Sequence, residues 1–532
     1  MSFALDGLLY AVAWTHVTLA PYTKVEESFN LHATHDILLH GVSPSALLKY
    51  DHRVFSGPVP RSFVGSLFLA GLSYPIILIA SSYEYISEKS DLQVIVRLVL
   101  ATINATTLVL LRRSVARRFG RLAGVFFALL TCTQSHLPFW MGRTLPNMFA
   151  LAPVNVATWL LMNREKNALR VPERNIRVAL SLLTFTAVVL RAEVVLLLGP
   201  LALQALFCRW ITFRSLVKTG IMSGISSIAL TVAVDSYFWD KWLWPECSGI
   251  HYNVYQGKSS EWGVSPYHAY VTTHIPKLLL SALPLSLVGC AMSKTTRTII
   301  FPSLLYVIAI SALGHKEWRF IVYVVPYFNV AAARGARWMV GIRKGSAFGR
   351  LAFLFVMGAL GLNVAATMAY TRASMLNYPG GSALVSFNEL YLDVQDVHVH
   401  ISNYAAQTGA SLFLHINAPP YPLYLSSSNL RKKWTYDKTE HLKLLDLSGM
   451  DEITHVIAEE DRWKTDVWSL RATIEGFGGW DLKGFREWRT LRRKIAESGW
   501  ESIIGGVGVH KKEMLWILER RPRDVTATPR LS

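Results

Sequence analysis

Phe3-Ala4-Leu5-Asp6-Gly7-Leu8-Leu9-Tyr10-Ala11-Val12-Ala13-Trp14-Thr15-His16-Val17-Thr18-Leu19-Ala20 runs directly into Pro21-Tyr22-Thr23-Lys24-Val25-Glu26-Glu27-Ser28-Phe29-Asn30. The first stretch is apolar and long enough to cross a bilayer. It lacks a basic leading region and a convincing cleavage site, so it reads as an uncleaved first span. The second stretch puts two adjacent glutamates just outside it. Carboxylates beside a bilayer are costly unless they are hydrated, paired or used. On physics alone a hydrated loop pair and a reactive pair are equally good readings.

Working outward, apolar windows recur at roughly 61–82, 94–111, 122–138, 144–162, 178–190, 194–208, 220–238, 273–292, 298–314, 319–338 and 350–370. The pair around Arg191-Ala192-Glu193 is short and reads as a hairpin or two crossings. The chain is 52% hydrophobic and 17% charged over 532 residues, against roughly a quarter charged in soluble domains. It reads as a polytopic α-helical membrane protein with a soluble tail. The net charge of +18 sits in short loops between apolar segments, where membrane topology explains it. No RNA- or DNA-binding motif appears, so no nucleic-acid partner is expected. Cys132, Cys208, Cys247 and Cys290 have no paired spacing, which argues against a disulfide framework or a zinc site.

The basic loops Arg112–Arg121, Arg164–Arg177, Arg209–Lys218, Lys294–Arg297 and Arg334–Lys344 are assigned to the cytoplasm by the positive-inside rule. Pro138–Asn147, Arg191–Glu193, Asp235–Thr272, Gly314–Arg319 and everything after about residue 371 then face the other side. Glu26 and Glu27 reach that side only if an odd number of crossings lies between residues 60 and 112. Two apolar windows lie there, so either one of 61–82 and 94–111 does not cross or one break is misplaced. The expected total is about 11 crossings. Two regions follow: a membrane domain, 1–374, with an outer loop at 21–60, and a small soluble α/β domain, 375–532. In the tail, Val397–Ile401, Leu412–Ile416, Thr454–Ile457 and Met514–Leu518 read as strands; Asn403–Thr408 and Gly484–Ala496 read as helices.

The far-side loops hold cations and amides beside aromatics: His52, Arg61, Arg143 with Asn147, Arg191, His251, Lys258, His268, His315, Lys316 and Arg319. Cations beside an acidic pair suit an anionic lipid phosphate and a proton acceptor, and the planar arginine fork binds two phosphate oxygens at once. His315-Lys316-Glu317-Trp318-Arg319 is more than a snorkelling anchor, because His315 and Glu317 need partners. Asp235–Trp239 and Trp242–Glu246 read first as an interfacial aromatic belt and second as a sugar-stacking platform. His32-x-x-His35-Asp36 and His398-x-His400 lack a third ligand, so no metal is expected. Asn104-Ala105-Thr106 matches a glycosylation sequon inside an apolar window, where glycan transfer is not expected.

At Tyr22–Asn30 the chain resembles the dolichyl-phosphate-mannose-dependent mannosyltransferases of glycosyltransferase family 22, a branch of the class C membrane fold. The resemblance continues through Asp51–Phe63, Arg143–Asn147, Asp235–Glu246, Lys258–Pro266 and His315–Phe320, in order. Relatives often carry an Asp-Glu pair in the first loop; here Glu26 stands where they place the aspartate, and Glu27 at their glutamate. Lys24–Asn30 most resembles the α-1,6 branch. The resemblance implies an endoplasmic-reticulum membrane with a lumenal site and lumenal tail. It implies a dolichyl-phosphate-mannose donor, a dolichyl-diphosphate Man7GlcNAc2 acceptor, the lipid bilayer as surroundings, and no cofactor. A monomer is expected. The expected base is Glu26, with Glu27 as the alternative. Arg61, Arg143, His315, Lys316 and Arg319 are expected at the donor phosphate. Asn30, His35, Asp36, His52, Trp239, Trp262 and His268 are expected along the sugar and acceptor. The competing readings are an α-1,2-mannosyltransferase of the same pathway or of glycolipid-anchor synthesis, and a lipid or solute transporter. No internal repeat of the transporter kind is present in the sequence.

Overall fold

A computed structural model of the chain describes residues 2–164, 168, 170–422, 432–460, 466–481 and 508–522. The expected helix Gly484–Ala496 lies outside the described residues. The chain forms two compact units. One comprises residues 1–19, 29–76 and 94–370; the other comprises 20–28, 77–93 and 371–532.

The first unit is helical. The helix Ser2–Leu19 lies along the helix Lys89–Phe119. Trp14 Nε1 donates to Thr102 Oγ1 at 3.0 Å, Tyr10 Oη and Thr106 Oγ1 are 2.9 Å apart, and Arg112 Nε meets Asp6 Oδ1 at 2.6 Å. Partner numbers rise on one helix as they fall on the other, so the pair is antiparallel. Asp6 and Arg112 are both buried, and burial of such charges is tolerable only as a pair. This pairing puts the end of the first helix level with the stretch near Val94. The helix Val64–Ser82 is long and apolar enough to cross, and so is Lys89–Phe119.

Among the described residues, Phe213–Trp239 and Ala347–Met375 are also long and apolar enough to span. The window 273–292, read as one span, breaks into Tyr270–Leu279 and Ala282–Met292, bent by 100°. Leu280, with φ of 49°, stops the first part, because a left-handed residue cannot continue a right-handed helix. The break at Arg191 appears as expected. A helix Glu173–Phe185 widens into a π turn, Thr186–Leu190, and restarts as Val195–Phe207. Small residues set one close crossing. A Cβ on Gly289 would stand 1.9 Å from the Ala331 carbonyl oxygen, and one on Gly335 would stand 2.1 Å from that of Leu285. Backbones approach so closely only where side chains are missing.

The second unit is built on a five-stranded sheet: β1 (Asp396–Ile401), β2 (Lys433–Asp437), β3 (His455–Ala458), β4 (Trp468–Asp481) and β5 (Gly508–Arg520). Their order is β2-β1-β3-β5-β4. β1 runs parallel to β2 and β3, and β5 runs antiparallel to β3 and β4. Leu384 and Phe387 of the helix Pro379–Leu390 pack with Val397, Val399 and Ile517 in the core. Leu412–Ile416, read as a strand, is instead a 3-10 turn over Leu412–Leu414.

Candidate active site

Glu26 and Glu27 occupy the first turn of the helix Val25–His40. Glu27 is fully buried, and its Oε1 accepts the backbone N–H of Lys24 at 3.1 Å. The backbone N–H of Glu27 in turn donates to the Lys24 carbonyl at 2.9 Å. This is the carboxylate half of a capping box, which satisfies a donor left over at a helix start. Glu26 is exposed.

In the helical unit a cleft is lined by Asn30, Arg61, Ser62, Gly65, Pro146, Phe149, Leu190 and Glu246. Asp235, near the end of the helix Phe213–Trp239, fixes one wall by accepting the Phe63 N–H at 2.6 Å and the Ser62 hydroxyl at 2.9 Å. The Trp239 indole N–H donates to the Arg61 carbonyl at 3.0 Å. Asn30 is held by a bond from its Nδ2 to the Thr144 carbonyl at 2.8 Å. Arg61 thus reaches the cleft from a clamped backbone. Among the described residues its guanidinium makes no hydrogen bond.

A charged cluster surrounds it. Arg191, at the helix break, donates from its Nε to both Glu193 oxygens at 2.8 and 3.1 Å. Glu193 also accepts from Asn147 Nδ2 at 2.9 Å and from the Tyr323 hydroxyl at 3.3 Å. Glu246 accepts the Ala192 N–H at 2.6 Å. Arg319 pairs with Glu317, whose same oxygen takes the His315 Nε2–H at 2.9 Å. The guanidiniums of Arg191 and Arg319 lie 5.7 and 5.8 Å from the centre of the Phe320 ring. Burial, and then the positive charges of Arg191 and Arg319, hold Arg61 down to about 10. It stays charged at neutral pH, in a field that favours an anion. Burial pushes Glu246 up to about 7, against the pull of Arg191 and with the push of Glu193.

The remaining expected residues fall into two groups. Arg143 is wholly buried, with its guanidinium 4.1 Å from the centre of Phe139 and 5.1 Å from that of Trp140. It is therefore a packed cation inside the bundle. Lys316 is turned inward, donating to the Leu313 and Ser265 carbonyls at 2.6 and 3.1 Å. Trp239 is buried and stacks on Phe29 at 5.9 Å, so its face carries protein rather than an open platform. His52 is buried and donates to the Phe238 carbonyl at 3.0 Å. His35 donates to Asp36 at 2.9 Å, and Asp36 accepts the Asp51 N–H at 2.8 Å; both side chains are buried. These hold the outer loop together. Trp262 and His268 remain exposed. Sequence reasoning did not single out Glu193, Glu246 or Tyr323. The available signals were a carboxylate inside an aromatic belt at Glu246 and the broken helix at Arg191-Ala192-Glu193.

The architecture is that of a class C membrane glycosyltransferase. It is similar to ArnT from Cupriavidus metallidurans bound to undecaprenyl phosphate, with a TM-score of 0.54 and 9% identity, over 88% of this chain and 96% of that one. Likeness at that identity speaks for the fold alone. The chain belongs to the Alg9-like mannosyltransferase family, whose profile matches residues 7–415. Two relatives carry the name Dol-P-Man:Man(7)GlcNAc(2)-PP-Dol alpha-1,6-mannosyltransferase. The Drosophila melanogaster protein is 36% identical over 87% of this chain, which spans 64% of that protein's length. The Arabidopsis thaliana protein is 34% identical over 91% of both chains.

Proposed function

We propose that this protein transfers mannose in α-1,6 linkage from dolichyl-phosphate mannose to dolichyl-diphosphate Man7GlcNAc2, giving the Man8GlcNAc2 lipid, at the lumenal face of the endoplasmic-reticulum membrane. Family membership and the names of its relatives support the reaction. The observation that carries the chemistry is Arg61, a charged guanidinium in a cleft beside Arg191 and Arg319. Such a site suits a phosphate that gains negative charge as its bond to sugar breaks. The donor is β-linked and the product α-linked, so one displacement inverts the anomeric carbon. The bond from C1 to the phosphate oxygen breaks, and a bond from C1 to the acceptor 6-oxygen forms. The hydroxyl proton passes to Glu26, and dolichyl phosphate leaves. Glu26 is the choice because its carboxylate is exposed, whereas that of Glu27 serves the helix start. A positioned base contributes roughly 10²–10⁴-fold.

The test uses the purified enzyme with dolichyl-phosphate mannose and Man6, Man7 and Man8 acceptors. Transfer to Man7 alone, abolished by Glu26→Gln, is expected. Arg61→Ala and Arg319→Ala should raise donor KM more than acceptor KM. Transfer to Man6 or Man8 instead would favour an α-1,2 sibling, and solute movement without transfer would favour a transporter. Near-normal turnover by Glu26→Gln would remove Glu26 as the base.

A further inference from the structure

Glu26 sits on the first turn of a helix, where backbone bonds are incomplete and ends fray. A general base needs tighter placement than that, because its oxygen must stay within about 2.6–3.2 Å of the proton it takes. The residues just before it are gripped by the C-terminal part of the chain within the same compact unit. The Tyr22 ring lies in a notch made by Gly381 and Gly409. A Cβ on Gly381 would stand 2.3 Å from Tyr22 Cγ, and one on Gly409 would stand 3.0 Å from Tyr22 Cβ. Gly409 has φ of +121°, a conformation that other residues rarely adopt. Thr408 fixes the notch, its hydroxyl taking the Gly380 N–H at 3.0 Å and its carbonyl taking that of Gly381 at 3.2 Å. On one flank Gln93 donates to the Pro21 carbonyl at 2.7 Å and is itself held by the Ser411 hydroxyl. On the other, Lys24 Nζ donates to Asn377 Oδ1 at 3.2 Å and lies 5.7 Å from the centre of the Tyr378 ring.

We propose that the C-terminal α/β domain is a positioning device for the reaction: Tyr22 seated in the Gly381–Gly409 notch, with Lys24 on Asn377, sets the start of the helix that carries Glu26. The α/β domain is then part of the catalytic apparatus through the placement of Glu26. The idea rests on Glu26 as the base. Small displacements of a catalytic group are costly, about a hundredfold for 1 Å, so a partial loosening should cost about tenfold in kcat.

The test is a double-mutant cycle on the full-length enzyme with hydrogen exchange as a second readout. Gly381→Ala should lower kcat about tenfold with both KM values within about twofold, and should speed amide exchange over residues 25–28. Tyr22→Ala should do the same, and adding Gly381→Ala to it should cost nothing more, because the pair acts as a unit. Asn377→Ala changes an exposed side chain and covers the case in which Gly381→Ala does not fold; a several-fold loss in kcat alone is expected. Full kcat in folded Gly381→Ala, losses that multiply in the double variant, or a loss confined to KM would overturn the latch. Glu26→Gln is measured alongside. Retained turnover there would overturn the base, and the proposal with it; an inactive Glu26→Gln beside a fully active Gly381→Ala would overturn the latch alone.

Discussion

Glu246 illustrates how a single buried side chain can set the pH response of the cleft. Its carboxyl lies in the cleft with Arg61 and is pushed up to about 7 by burial. As pH falls below 7 it takes a proton and its negative charge leaves the site, so a donor phosphate meets a more positive cleft. As pH rises above 7 the charge returns and repels the phosphate. Donor KM should therefore rise about three- to tenfold between pH 6 and 8, and Glu246→Gln should flatten that profile; a steep profile in the variant would exclude Glu246 as its source. Little of this was legible in the sequence. Arg61, Arg319 and the Glu26-Glu27 pair stood out because charge beside a bilayer is rare. Arg143, Lys316 and His52 carried the same signal, yet Arg143 packs on Phe139 and Trp140, and Lys316 and His52 bond to backbone carbonyls. Composition alone does not separate a cation that faces a cleft from one that locks a loop.

Elements were more legible than sites, because periodicity is a property of the chain. The alternation in Val397–Ile401 appears as β1, and the helix before Gly409 ends at Gln407. The long strand β4 escaped notice because Gly476, Gly478 and Gly479 interrupt its pattern and its pairing with β5 shifts register three times. The Gly289–Gly335 crossing was also invisible, since it depends on which helices meet. It gives an element-scale prediction. Gly335→Leu forces the helices Ala282–Met292 and Val325–Gly341 apart, because even a Cβ would stand 2.1 Å from the Leu285 carbonyl oxygen. Overpacking of this kind costs typically about 1–3 kcal/mol or more. A thermal-stability assay in detergent should show a clear loss for Gly335→Leu and none for Gly220→Leu, which has open space around it.

At the scale of the molecule, charge asymmetry and apolar windows gave the class of protein, while the crossing pattern needed a contact. Asp6 on Arg112 and Trp14 on Thr102 set the first helix antiparallel to Lys89–Phe119, a pairing that hydropathy did not show. Single cysteines at Phe3 and Arg117, in a cysteine-free background, should be labelled by an impermeant reagent from the cytoplasmic side, and one at Val54 only after the lumenal side is opened. Labelling of Phe3 and Arg117 from opposite sides would break the antiparallel pairing. The helix-start role of Glu27 has a consequence for genetics. Its loss removes the hydrogen bond that its Oε1 takes from the Lys24 N–H at a helix start, a bond of a kind worth about 1 kcal/mol, and leaves the carboxylate of Glu26 in place. Alleles at the two positions should therefore look different: Glu26 substitutions should fail at every temperature, whereas Glu27→Ala should glycosylate well in the cold and poorly in the heat.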